Sequence, residues 1–120
     1  MRQLALAAGT DLSGTLAFWE RVLGLTAHAR FDPPGIAFIV IGGVRLFFAP
    51  SSPPGTVYLD ASRLDRLCRS IAEAGARVTE PKPMHLDTAG QFGPAGEAEW
   101  MSFVHDPAGN TIGLVERRPA

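Results

Sequence analysis

The feature that most limits the fold of this chain is that its two halves repeat one order of elements. Residues Gln3 to Ala8 form a short apolar run that Gly9-Thr10-Asp11 ends, as expected for a strand. From Leu12 to Leu23 the apolar residues Leu12, Leu16, Trp19, Val22 and Leu23 recur at helical spacing. Asp11 is the expected N-cap of that helix, with Ser13 as its rival, and Gly24 closes it. Strands are expected at Thr26 to Phe31, Ile36 to Ile41 and Val44 to Ala49, the last two joined by a Gly42-Gly43 hairpin. After Pro50-Ser51-Ser52-Pro53-Pro54-Gly55 the order begins again. The second half predicts a strand at Thr56 to Asp60 and a helix at Ser62 to Ala74 closed by Gly75. A strand at Arg77 to Met84 follows, made irregular by Pro81 and Pro83. Strands at Trp100 to His105 and Thr111 to Glu116 flank the turn Asp106-Pro107-Ala108-Gly109-Asn110.

The offsets support the repeat. Leu16 and Leu67 stand 51 residues apart, as do Gly24 and Gly75; Val44 and Ile112 stand 68 apart, as do Leu46 and Leu114. The second half therefore carries 68 − 51 = 17 extra residues before its last hairpin, expected in a loop from Asp87 to Glu99. The expected architecture is α+β. Two βαβββ modules form a curled, cup-shaped mixed β-sheet with the helices on its outer face. The boundaries are module one at 1–49, a linker at 50–55 and module two at 56–120, within one domain of 120 residues.

Composition narrows the function classes. A net charge of −1 speaks against nucleic acid and anionic membrane surfaces as partners, and no apolar run reaches membrane-spanning length. The opening MRQLALAAGTD is too short to be a signal peptide. The single cysteine, Cys68, on the apolar face of the second helix, excludes an internal disulfide framework and a cysteine-based zinc site. A reducing, cytoplasmic setting is expected. Ten arginines against one lysine, Lys82, fit a GC-rich bacterial genome.

Strand alternation singles out candidate ligand-binding residues. Val44, Leu46 and Phe48 share one face and Arg45 and Phe47 the other; Val57 and Leu59 oppose Thr56, Tyr58 and Asp60. The mixed faces, with Gly113 of the last strand, would line the cup as a small-molecule site. Arg45 would bind a carboxylate, phosphate or enolate oxygen, or else pair internally, with Asp60 as one partner. Phe47, Tyr58, Trp100 and Phe103 would stack on a planar ligand or serve as core. His85 opens the long loop as a candidate acid/base or a surface histidine, and Glu97 and Glu99 would join it in a displaced cluster or act as solvating charges. His105 reads as structural, His28 as solvent-facing and Glu116 as a surface pair with the basic tail.

Two stretches carry a family resemblance. Leu16-Ala17-Phe18-Trp19-Glu20-Arg21-Val22-Leu23-Gly24-Leu25 resembles the FY-x-x-VLG helix end of the glyoxalase, bleomycin-resistance and extradiol-dioxygenase superfamily. Asp106-Pro107-Ala108-Gly109-Asn110-Thr111-Ile112 resembles its DP-x-GN-x-I hairpin, and Pro83-Met84-His85-Leu86 with Trp100 and Phe103 resembles a subgroup. The resemblance implies the paired βαβββ fold and a homodimer. Metal-dependent members place ligands on the first and last strand of each module. Those positions here are Leu4, within about one residue, Arg45, Thr56 and Gly113, and none is a usual ligand. No cofactor is expected, and a divalent metal only if displaced to His85, Glu97 or Glu99. The function expected is a metal-independent small-molecule binder of the bleomycin-resistance type, taking an aromatic or anionic metabolite or antibiotic. The alternative is a glyoxalase-like lyase, isomerase or dioxygenase using His85 with Arg45, or a displaced metal.

Overall fold

In the computed structural model, which describes residues 1–120, the first half runs β1 (Gln3–Ala7), α1 (Leu12–Leu23), β2 (Ala29–Phe31), β3 (Ile36–Ile41) and β4 (Val44–Ala49). The second half runs β5 (Thr56–Asp60), α2 (Leu64–Glu73), β6 (Lys82–Asp87), β7 (Glu97–His105) and β8 (Thr111–Pro119). This is the α+β order of two βαβββ modules. Each module builds its own four-stranded sheet, with orders β1-β4-β3-β2 and β5-β8-β7-β6. In the first, β1 runs parallel to β4, and the hairpin partners are antiparallel.

Local chemistry explains the helix bounds. Asp11 caps α1, its carboxylate accepting the Gly14 N–H at 2.9 Å. Gly24 closes it in the left-handed region, φ 71°, with its N–H on Glu20 O and that of Leu25 on Trp19 O. The first turn of α2 has no side-chain cap of its own; Glu116 Oε2, on β8, accepts the Leu64 N–H. That helix is shorter than expected, since Ser62 and Arg63 form a turn.

The strand bounds moved most around the prolines. The strand expected at 77–84 is reduced to a single bridge, Val78 to Val104, and regular pairing starts only at Lys82. Pro81 and Pro83 supply no N–H to a ladder, and the register shifts between Pro83 and His85. From there β6 continues to Asp87 while β7 starts as early as Glu97, so the expected long loop contracts to 88–96.

The chain forms two compact units, residues 1–56 with 105–111, and 57–104 with 112–120. In the first, Leu46 and Phe48 face α1, and the Trp19 and Phe48 rings meet edge-on at 5.3 Å, both fully buried. Burying a side chain of that size contributes roughly 1.5–3 kcal/mol. The turn 105–111 completes this core. The buried Asp106 carboxylate accepts from Trp19 Nε1 at 2.8 Å and from three donors of its own turn: the Ala108 N–H, the Asn110 N–H and Asn110 Nδ2. Asn110 Oδ1 accepts the N–H groups of Ala7 and Gly55, and Nδ2 also donates to Ala7 O. The helix-end motif and the turn motif are thus joined by one hydrogen bond. In the second unit Leu64 and Ile71 of α2 are fully buried, and Cys68 lies 3.2 Å from Ser102 Oγ. No helix is long and apolar enough to cross a membrane.

Candidate functional site

Pairing in the first sheet decides which side chains share the face away from α1. Gln3 stands beside Arg45, Ala5 beside Phe47, Phe38 beside Phe47, and Val40 beside Arg45. Paired residues point to the same side of a sheet. Arg45 and Phe47 therefore share the open face with Phe38, whereas Leu4 sits beside Leu46 on the helix side. The first-strand position that neighbours Arg45 is Gln3, one residue from the sequence mapping.

The aromatic rings on this face are organised. Phe38 and Phe47 stack at 5.1 Å with planes 16° apart, and Phe31 meets Phe38 edge-on at 6.3 Å. Arg45 holds its guanidinium carbon 5.7 Å from the Phe38 ring centre and meets no carboxylate within its unit. An exposed, unpaired guanidinium beside a stacked ring pair can hold an anionic group while the rings take a planar body. Phe31 and Phe38 were missed by the sequence reading, although the alternation of β3 places Phe38 on this face.

In the second sheet Thr56 and Tyr58 lie on the exposed face of β5. The Tyr58 ring meets Phe103 edge-on at 6.2 Å, and together they cover Gly113. A Cβ at Gly113 would lie 2.6 Å from Tyr58 Cδ1, so the ring fills the space a ligating side chain would need. Trp100 is not part of this group. It shares a face of β7 with the buried Ala98, Ser102 and Val104, opposite Phe103, and Arg118 lies over its ring at 4.5 Å. Arg118 in turn pairs with Asp65 of α2 and with Glu116.

His85 stands exposed on β6, paired with Glu99 in the ladder and with its ring 6.2 Å from that of Phe92. No hydrogen bond reaches its imidazole. Glu97 and Glu99 are engaged by Arg117, which reaches Glu97 at 2.9 Å, Glu99 at 3.2 Å and Asp87 at 2.9 Å. Asp87 is buried, and its carboxylate accepts the N–H groups of Gln91 and Phe92. The Phe92 N–H, then those of Gln91 and the Arg117 guanidinium, hold its carboxyl down from the ordinary 3.8 to about 2 against the opposing cost of burial. The bonds to its acid partners raise Arg117 above the ordinary arginine value. Asp87 and Arg117 were not singled out from sequence; an Asp opening a Thr-Ala-Gly turn was the available signal. His105 Nδ1 lies 3.0 Å from Thr111 Oγ1, and His28 is exposed.

No three side chains of His, Cys, Asp or Glu gather to hold a metal ion. The positions that serve metal in related folds offer here the Gln3 amide, the Arg45 cation, the Thr56 hydroxyl and no side chain at Gly113.

The family model for the Glyoxalase/Bleomycin resistance protein/Dioxygenase superfamily matches residues 3–114. Among solved structures, TnmS3, an antibiotic binding protein from Streptomyces sp. CB03234, is similar at TM-score 0.77 and 17% identity, over 98% of this chain and 95% of that one. Lactoylglutathione lyase from Agrobacterium tumefaciens is similar at 0.72 and 18%, over 97% and 92%. A bleomycin resistance determinant encoded on the transposon Tn5 is similar at 0.68 and 21%, over 97% and 96%. No curated protein matches the chain by sequence.

Proposed function

The chain belongs to the glyoxalase/bleomycin resistance/dioxygenase superfamily, and from that premise we propose that it binds a planar aromatic, anionic metabolite or antibiotic without a metal. One observation carries the reading. Arg45 is exposed, has no acidic partner in its unit, and stands over the Phe38–Phe47 stack. The rings would take the flat body of the ligand, and the guanidinium its carboxylate or phenolate. The antibiotic-binding and bleomycin-resistance relatives support the ligand class. Gln3 would offer a metal only an amide oxygen, and it stands beside the Arg45 cation, while Thr56 has a neutral hydroxyl and Gly113 no side chain, which favours binding without a metal. The alternative acid/base role for His85 lacks a partner: its imidazole is unbonded, and the nearby carboxylates are held by Arg117. A homodimer, which the resemblance implies, and a cytoplasmic setting, which the single cysteine suggests, are part of the same reading; a monomer in native mass spectrometry would remove the first.

The test is isothermal titration calorimetry with planar aromatic carboxylates and their matched alcohols. Arg45→Gln is expected to weaken the carboxylates about tenfold, roughly 1.4 kcal/mol, and to leave the alcohols unchanged. Absence of saturable heat across the panel, or equal losses for acids and alcohols, would overturn the reading.

A further inference from the structure

A cleft of about 390 Å³ opens where β5 passes into α2. Apart from Asp60, which ends β5, its lining comes from residues 61–70, the turn and the helix. It shares no residue with the Phe38–Phe47 stack or the Tyr58–Phe103 group, and it is independent of the function proposed for the sheet face. The volume lies within the roughly 300–1,000 Å³ of small-molecule sites. Its base is fixed to β8. The Ala61 N–H donates to Val115 O at 2.8 Å, and the Leu64 N–H donates to Glu116 Oε2 at 3.3 Å. Ala61 and Leu64 are both buried.

Charge gives the cleft a direction. Arg63, Arg66, Leu67 and Ser70 recur at helical spacing and share one stripe at the start of α2, and Ser62 joins them from the turn. The other acids at this end of the helix are engaged elsewhere. Asp65 pairs with Arg118 at 3.2 Å, and Glu116 pairs with Arg118 while accepting the Leu64 N–H. Arg63 and Arg66 are exposed and form no ion pair, and neither does Asp60, the one carboxylate lining the cleft. Two guanidiniums and two hydroxyls offer a phosphate group several donors at once. An ionised carboxylate only accepts hydrogen bonds, so Asp60 opposes a bare anion and favours a ligand that also presents a hydroxyl. The half-buried Leu67 gives the carbon skeleton an apolar wall. We infer that this cleft binds a small phosphorylated polyol, its phosphate held by Arg63 and Arg66 and a hydroxyl donated to Asp60.

The full chain, labelled with nitrogen-15, is titrated with glycerol 1-phosphate, ethyl phosphate and glycerol, and the amide signals are followed by NMR. Glycerol 1-phosphate is expected to move the Ser62, Arg63 and Arg66 amides saturably while those of Phe38 and Phe47 stay still. Ethyl phosphate, which lacks the hydroxyls, should bind more weakly, and glycerol should give no response. Arg63→Gln and Arg66→Gln, at exposed positions, should each weaken glycerol 1-phosphate about tenfold. Arg69→Gln, on the same helix but outside the cleft, should leave it unchanged. Asp60→Asn should erase the preference for glycerol 1-phosphate over ethyl phosphate. Arg45→Gln should leave the whole response intact, which separates this site from the phenylalanine stack. Still amides at saturating probe, an equal loss in Arg69→Gln, or a native chain that takes both phosphates alike would each overturn the inference.

Discussion

Each unit holds one buried aspartate, and the two are satisfied by opposite means. Asp106 is surrounded by neutral donors: an indole N–H, a side-chain amide and two backbone N–H groups. Asp87 has two backbone N–H groups and a guanidinium shared with Glu97 and Glu99. The first arrangement joins elements far apart in sequence, since Trp19 and Asp106 are separated by 87 residues. The second is local to one sheet and shapes the 88–96 loop, where Arg117 also donates to Pro94 O. The contrast teaches a division of labour. Neutral donors hold a core whose geometry must not change, and the charged hub fastens a loop at a surface that water still reaches.

The largest effect is expected from breaking the first arrangement. Asp106→Ala strands the Trp19 indole N–H and the Asn110 backbone N–H inside a packed core. An unsatisfied buried donor costs about 1–3 kcal/mol, so the loss should reach about 3 kcal/mol or more. Urea unfolding reads it. A loss under about 1 kcal/mol would mean that Asp106 only shapes its turn and does not hold α1.

Arg117→Ala should act more narrowly. Asp87, Glu97 and Glu99 lose their common partner, and the 88–96 loop loses its strap to β8. Hydrogen exchange at the Gln91 and Phe92 amides is expected to speed up, with protection at Ala7 and Trp19 unchanged. Equal acceleration in both places would show that the hub supports the whole chain and would collapse the comparison.

These two aspartates also mark where sequence reading stops. Patterns with short periods were legible: the faces of β4, the Asp11 cap, the Gly24 stop and the Asp106–Asn110 turn all follow from the chain's own neighbours. The partner of Asp106 was not legible, because a turn pattern carries no record of the indole that packs against it. Around β6 the signal was misleading. Pro81 and Pro83 interrupt the ladder, so alternation placed the strand early and lengthened the loop. Glu97 and Glu99 looked like loop charges because Arg117, which neutralises them, comes 20 and 18 residues later. In the candidate site Arg45 and Phe47 were readable from alternation, and so were Thr56 and Tyr58. Trp100 was grouped with them by composition, and its position in β7 sends it to the opposite face. The one-residue uncertainty at β1 mattered most, since it exchanges Leu4 for Gln3 beside Arg45.

The smallest effect expected is a pH dependence that belongs to Asp87. Its carboxyl is held at about 2 in the folded chain, below the ordinary 3.8, chiefly by the Phe92 N–H. A group whose value is lowered on folding binds its proton more readily in the unfolded chain, so it favours the folded state when ionised. That contribution is complete above about pH 4, declines as pH falls towards about 2, and is absent below it. Asp87→Asn keeps the side chain's size, so its melting temperature should fall less between pH 4 and pH 2 than that of the native chain. Arg117→Ala should flatten the same window only in part, because the two backbone donors to Asp87 remain. If both variants track the native curve, the hub's geometry rests on the 88–96 backbone alone, and the charge on Asp87 is incidental to it.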